Sequence, residues 1–171
     1  MISPIIKFTP TAIAAEVSEH SRRVIKAILL RSGCESCVIT STTRTPARQA
    51  LAMYRNILAR GEADQKALYG KYGDQVIEEY GKLRKKGANQ KSILSAMEQL
   101  IIEIGPKKVS AHCLDSSEFK NLNVIDIAPS SISAKTSFLE ALGDSKKNGD
   151  LEKFFHPGSH DLAFHLEIRQ K

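Results

Sequence analysis

Two histidines and one aspartate, His112, Asp126 and His165, are the residues of this sequence best suited to metal chemistry. Asp126 lies between Ile125 and Ile127, where a carboxylate is costly to bury unless it is paired or binds a metal. A catalytic zinc takes three protein ligands of these types and keeps one position for water. For Asp126 taken by itself, a strand whose second face is simply in water is the better explanation, so this residue alone does not establish a metal site.

The segment around His165 alternates with the period of a β-strand. In residues 162–168, one face carries Leu162, Phe164, Leu166 and Ile168, and the other carries Ala163, His165 and Glu167. The alternation predicts that His165 points away from the apolar face. We therefore expect its imidazole to face either solvent or a cleft.

Four short motifs follow one another along the chain: ITSTTRTPARQA at 39–50, VSAH at 109–112, NVIDIAP at 123–129 and DLAFHLEI at 161–168. In this order they resemble the zinc D-alanyl-D-alanine carboxypeptidase and VanY-like peptidoglycan endopeptidase family. That family shares its fold with the hedgehog signalling domain. Its pattern is a strand ending in S-x-x-R-[TS]-P, then S-x-H, then a strand of A-V-D-I type, then a strand with the last histidine. Each motif is weak alone, whereas the ordered set is specific.

The resemblance implies a role for five residues of this chain. His112, Asp126 and His165 correspond to the ligands of one zinc ion per chain. Arg44 corresponds to the arginine that binds the scissile carbonyl or the peptide carboxylate. Ser110, two residues before the first ligand, corresponds to a serine that contacts the substrate or supports the ligand.

The spacing of the ligands departs from the family pattern. Thirteen residues separate His112 from Asp126, whereas the family has only a few at this point. The insertion introduces Asp115 and Glu118, which are rival candidates for the second metal ligand, although neither lies on a predicted strand.

The catalytic base also departs from the family pattern. The family places Glu or Asp three residues before the last histidine, where this chain has Leu162. Asp161 and His160 lie four and five residues before His165, and Glu167 is a third candidate. Strict alternation puts Asp161 on the face of His165, and we therefore predict Asp161 as the base, with His160 as the alternative.

The sequence predicts an α+β fold, with a small antiparallel sheet and helices packed around it in a single domain of residues 1–171. Helices are predicted at 10–32, 45–61, 62–86, 89–104 and 136–142, strands at 36–40, 122–128 and 162–168, and a polar loop at 143–150. The helical stretch at about 62–105 is predicted to be an insertion that shapes the substrate cleft.

Composition restricts the class of protein and its partners. The net charge of +6 favours an anionic partner, either a cell wall or a nucleic acid. Scattered basic residues and 6% aromatic residues argue against a nucleic-acid-binding module, which would stack bases on aromatic rings.

Three cysteines form no disulfide framework, and Cys34 and Cys37 are expected as a local disulfide or as free thiols. No segment has the length and apolarity of a membrane span, and none reads as a Sec signal peptide.

These observations predict a zinc metallopeptidase that hydrolyses a peptide bond in peptidoglycan stem peptides, as a D,D-carboxypeptidase or an endopeptidase. We expect a monomer that is made in the cytoplasm and acts on the cell wall after lysis, injection or export. A phage lysis or tail enzyme such as an endolysin, or a delivered toxin, fits this expectation. The alternatives are a catalytically inactive relative that binds the wall, and a basic nucleic-acid-binding module.

Overall fold

A computed structural model describes residues 3–115, 117–159 and 161–171 of the chain. It confirms the α+β class, with seven helices and a five-stranded sheet in the described part. The chain forms two compact units, one made of residues up to Thr43 together with Lys120–Lys171, and the other of Arg44–Phe119. Among the described residues, no helix combines the length and the apolarity needed to cross a membrane.

The first unit contains the whole sheet. Its strands are β1 (Ile5–Phe8), β2 (Ser36–Ser41), β3 (Leu122–Ile127), β4 (Lys153–Phe155) and β5 (Phe164–Arg169), in the order β1-β2-β3-β5-β4. All neighbouring strands are antiparallel except β1 and β2, which are parallel. The sheet is therefore mixed: the predicted antiparallel pairing is found for three of its four strand pairs, and β1–β2 is the exception. A helix connects β1 to β2, as a parallel pair requires.

That helix, α1 (Glu19–Ser32), begins nine residues later than the predicted start at residue 10. Its N-cap is Ser18, whose hydroxyl accepts the Ser21 backbone N–H at 3.0 Å. Thr9, directly before the predicted start, does not cap the helix, because its hydroxyl donates to the carbonyl of Thr40 on the neighbouring strand. The predicted end is confirmed, since Gly33 adopts the left-handed conformation (φ 69°) that closes a helix.

The other helix of this unit, α7 (Lys135–Lys147), is longer than predicted. The predicted loop at 143–150 is wrong over its first half, because the helix continues through Gly143 to Lys147. Glycine and polar residues disfavour a helix here, but tertiary packing outweighs this preference. Ser145 is fully buried and accepts a hydrogen bond from Arg31 at 2.6 Å. Helices α1 and α7 pack together against the apolar side chains of the sheet.

The second unit is helical. It contains α2 (Pro46–Arg60), α3 (Glu62–Leu68), α4 (Lys71–Lys85), α5 (Gln90–Ile104) and the single turn α6 (Pro106–Val109). The predicted start of α2 is confirmed, because Thr45 caps it by accepting the Arg48 N–H at 3.3 Å. The predicted helical stretch 62–105 contains α3, α4 and α5, of which α4 and α5 share an apolar core with α2.

All three cysteines are buried free thiols, so of the two expected states of Cys34 and Cys37 the structure contains the thiols. Burial raises the pKa of the Cys37 thiol to about 12. The same cause raises the pKa of Cys113 to about 12.

A buried polar contact on β3 gives a stability prediction. Asn123 is 6% exposed, and its carbonyl oxygen accepts the Ser18 N–H at 3.0 Å and the Ser21 hydroxyl at 2.8 Å. Asn123→Ala leaves two buried donors without their acceptor, and we expect it to lower the free energy of unfolding by about 2 kcal/mol. Urea denaturation measures this. Asn148→Ala, at the exposed end of α7, is the control and should change it by less than about 0.5 kcal/mol. Equal stability of the two variants would contradict the prediction.

Candidate metal centre

Asp126 and His165 are brought together by the register of two strands. They lie directly opposite each other in the antiparallel pair β3–β5, so their side chains leave the same face of the sheet. The Nδ1 atom of His165 lies 2.9 Å from Oδ1 of Asp126. On the other side of β3, the register with β2 shifts at Ile39–Ser41, where Ser41 faces Asp126. Such irregularities frequently border functional sites.

His165 is buried on this face, with only 3% of its surface exposed. Of the two expected surroundings, solvent or a cleft, solvent is therefore excluded for its imidazole. Phe155 lies opposite it on β4, with the two ring centroids 5.7 Å apart. Glu167, two residues further along β5, places Oε1 3.5 Å from Nε2 of His165. A carboxylate thus lies beside each ring nitrogen.

The two carboxylates determine the charge of His165 in the metal-free protein. Burial lowers the pKa of the imidazole, but hydrogen bonds to Asp126 and Glu167, together with their charges, act in the opposite direction and outweigh it. The pKa of His165 is raised to about 9. The two carboxylates therefore favour the protonated, positively charged form of His165 at neutral pH.

His112 lies just after α6, in a segment whose backbone is held by Arg44. The Arg44 N–H donates to the His112 carbonyl at 2.7 Å, and the Leu114 N–H donates to the Arg44 carbonyl at 3.0 Å. The hydroxyl of Ser110 accepts the His112 N–H at 3.3 Å. Two motifs that are 68 positions apart, counted from Arg44 to His112, therefore form one local scaffold.

The predicted ligands form a single group. One donor atom each from His112, Asp126 and His165 lies within 4.8 Å of the other two. Three atoms so spaced all lie within about 2.8 Å (4.8/√3) of a common point, compared with zinc–ligand distances of about 2.0–2.2 Å. Two imidazole nitrogens and one carboxylate oxygen are also the donors that zinc prefers. The residues present therefore fit a zinc ion after a small adjustment of side chains.

The rival ligands have other partners. Asp115 accepts hydrogen bonds from the Ser117 hydroxyl at 2.6 Å and from the Glu118 N–H at 2.9 Å. These contacts, the Ser117 hydroxyl first, lower the pKa of Asp115. Glu118 forms an ion pair with Lys107 at 2.8 Å. Neither belongs to the group that His112 forms within the described residues.

The three candidates for the base have different surroundings. β5 begins at Phe164, so the alternation from which Asp161 was placed on the face of His165 ends before Asp161. Asp161 instead forms an isolated β-bridge with Pro157, and its Oδ1 accepts the Ala163 N–H at 3.0 Å. His160 lies outside the described residues. Glu167 lies beside His165, as given above. The identity of the base stays a prediction.

Sequence reasoning missed the partner of Arg44. The guanidinium Nη1 donates to Oε1 of Gln49 at 3.2 Å, and Gln49 is completely buried. The only signal in the sequence was the polar residue Gln49 in the first turn of α2. This signal is weak, because a glutamine near the start of a helix usually faces solvent.

Comparison of the chain with protein-family models, with curated proteins and with solved structures finds no match. The likeness to zinc carboxypeptidases and endopeptidases therefore depends on the four motifs and remains a prediction.

Proposed function

We propose that this protein is a zinc-dependent peptidase that hydrolyses a peptide bond in peptidoglycan stem peptides, with the metal bound by His112, Asp126 and His165. The observation that carries the proposal is the grouping of their donor atoms within 4.8 Å. These residues come from three separate motifs and were selected from the sequence by type and order. Chance grouping of two imidazoles and a carboxylate chosen in this way is a poor explanation.

The proposed mechanism gives separate roles to the three metal ligands, to Arg44 and to Asp161. When bound, zinc would supply Lewis acidity that activates water near neutral pH and polarises a carbonyl. His112, Asp126 and His165 would hold that ion. Arg44 provides a permanent positive charge for the oxyanion or for a peptide carboxylate. Asp161 accepts the proton of the attacking water and passes it to the leaving amine.

The proposed substrate and setting agree with the charge of the chain. A net charge of +6 favours encounter with an anionic cell wall. We propose that the protein acts there as a monomer, after lysis, injection or export, as a phage enzyme or a delivered toxin would.

Turnover of purified peptidoglycan tests the proposal. The protein, loaded with one equivalent of zinc, should release new amino termini or free D-alanine, and a chelator should stop the release until zinc is restored. Hydrolysis that is indifferent to the chelator would overturn the metal mechanism. Sedimentation with the wall without any product would instead favour an inactive wall-binding relative. Binding of nucleic acid without wall binding would favour the basic module.

Arg44 is expected to contribute to turnover and not to metal binding. Arg44→Ala removes the guanidinium but keeps the backbone bonds that hold the His112 segment, so zinc content should stay at one per chain. We expect kcat/KM on a stem peptide to fall at least about tenfold, because a charged oxyanion donor is lost. Arg55→Ala, at an exposed position of α2, is the matched control. If both variants hydrolyse the peptide at the same rate, Arg44 has no role in turnover and is only a surface residue.

A further inference from the structure

A chain of two partly buried hydrogen bonds leads from Arg44 into the helical stretch 62–105. Nη1 of Arg44 donates to Oε1 of Gln49 at 3.2 Å, and Nε2 of Gln49 donates to the hydroxyl oxygen of Tyr69 at 3.0 Å. Gln49 belongs to α2, whereas Tyr69 ends α3. The hydrogen bonds therefore connect Arg44, in the motif at 39–50, with a residue of the predicted insertion.

The direction of the chain follows from the chemistry of its first member. An arginine side chain only donates hydrogen bonds, so the amide oxygen of Gln49 must face Arg44. The amide nitrogen then faces Tyr69, and the phenol must accept. Burial raises the pKa of Tyr69, although the bond from Gln49 and the charge of Arg44 act in the opposite direction. Tyr69 therefore stays neutral at physiological pH and keeps its hydroxyl.

The ring of Tyr69 occupies space that a glycine leaves open. A Cβ atom added at Gly73, in the first turn of α4, would lie 2.5 Å from Cβ of Tyr69 and 2.7 Å from Cγ and Cδ1. Real Cβ atoms do not approach the rigid base of a side chain so closely. A side chain at residue 73 and the present position of Tyr69 are mutually exclusive.

We propose that Tyr69 and Gln49 are positioning residues that orient the guanidinium of Arg44 toward the substrate. The proposal rests on the peptidase function proposed above and adds that the helical stretch 62–105 supplies part of the machinery. An arginine side chain has many rotamers, and a fixed acceptor lowers the cost of presenting its charge in one direction. Tyr69 fixes the amide that provides this acceptor.

A double-mutant cycle tests the role of Tyr69. Tyr69→Phe keeps the ring and removes the acceptor of Gln49, and we expect kcat/KM on a stem peptide to fall about fivefold, the size of one neutral hydrogen bond. In the Arg44→Ala background the same change should have no further effect, because Tyr69 acts only through Arg44. Tyr80→Phe, in the same core, is the control. A full fivefold loss in the Arg44→Ala background would reduce Tyr69 to a structural residue and overturn the proposal.

Two glycines of α4 provide a second, independent test. Gly73→Ala should displace Tyr69 and reproduce the loss seen with Tyr69→Phe. Gly81→Ala should not, because its Cβ would meet only the carboxylate end of Glu62, at 2.7 Å, which can move away. Wild-type activity of Gly73→Ala, with its thermal midpoint unchanged, would contradict the proposal.

Failure of this inference can be told apart from failure of the proposed function. If the zinc-loaded wild type does not hydrolyse peptidoglycan peptides, the proposed function fails, and the positioning role of Tyr69 fails with it. If the wild type and Arg55→Ala are active, Arg44→Ala is impaired and Tyr69→Phe equals the wild type, only the present inference fails.

NMR signals of the Gln49 side-chain amide report on the chain of bonds without any substrate. They should shift in both Tyr69→Phe and Arg44→Ala, and unchanged signals would exclude the connection.

Discussion

Alanine in place of His165 is expected to remove zinc from the purified protein and to reduce hydrolysis of stem peptides at least about a thousandfold. The imidazole is one of three donors within 4.8 Å of one another, and two donors alone hold zinc poorly. Metal analysis of protein purified without chelator measures the first effect, and a peptide assay measures the second. Wild-type protein should carry one zinc per chain.

Two comparisons keep this result interpretable. His156→Ala removes an imidazole that is only partly buried and lies outside the group, so zinc content and turnover should stay at the wild-type level. Asp126→Asn keeps the shape of a second donor and removes its charge, which should weaken zinc binding without opening a cavity. Zinc bound at Cys34 and Cys37, with none lost in His165→Ala, would overturn the assignment of the ligands.

The second large effect is expected at Asp161. Asp161→Asn removes the charge that accepts a proton, and a general base typically contributes about 10²–10⁴ in rate. We therefore expect hydrolysis at least about a hundredfold slower, with zinc content unchanged. The amide oxygen of asparagine can still accept the Ala163 N–H, so the turn before β5 should remain intact. Rates on one stem peptide at saturating zinc measure the effect.

Variants of the two other candidate bases show whether the effect is specific to Asp161. Glu167→Gln and His160→Ala are made in parallel and assayed under the same conditions. If Asp161→Asn remains active while one of these two variants is inactive, the base is that residue. If all three variants match the wild type, none of them is the base, and the proposed proton transfer fails.

Local signals in the sequence predicted the elements that they control. The cap and proline at Thr45-Pro46 began α2 where predicted, because a hydroxyl acceptor and a fixed φ act within one turn. The alternation predicted β5 correctly from Phe164 onward, but Leu162 lies before the strand and is 87% exposed, so its predicted place on the apolar face is wrong. The apolar run around Asp126 predicted β3. Asp126 and His165 lie directly opposite each other because of the register between β3 and β5. That register cannot be read from the sequence of either strand alone.

Long-range contacts explain what the sequence did not reveal. The start of α1 depends on contacts with distant strands, since Thr9 bonds to Thr40 of β2 and Ser18 is held by Asn123 of β3. The length of α7 depends on the burial of Ser145. Strand β4 has three residues, too few for a visible period, yet it places Phe155 against His165. Alternation extended to Asp161 failed as an argument because the chain turns before β5 begins.

The order of the strands along the chain has a consequence for synthesis on the ribosome. β2 ends at Ser41, whereas its neighbour β3 begins only at Leu122, after the helical residues 44–119. At about 5–20 residues per second, β2 waits roughly 4–16 s before its partner has been made. During that time the open edge of an apolar strand can pair with other nascent chains. We therefore expect yield to depend on chaperones and on translation rate more than the stability of the finished protein suggests.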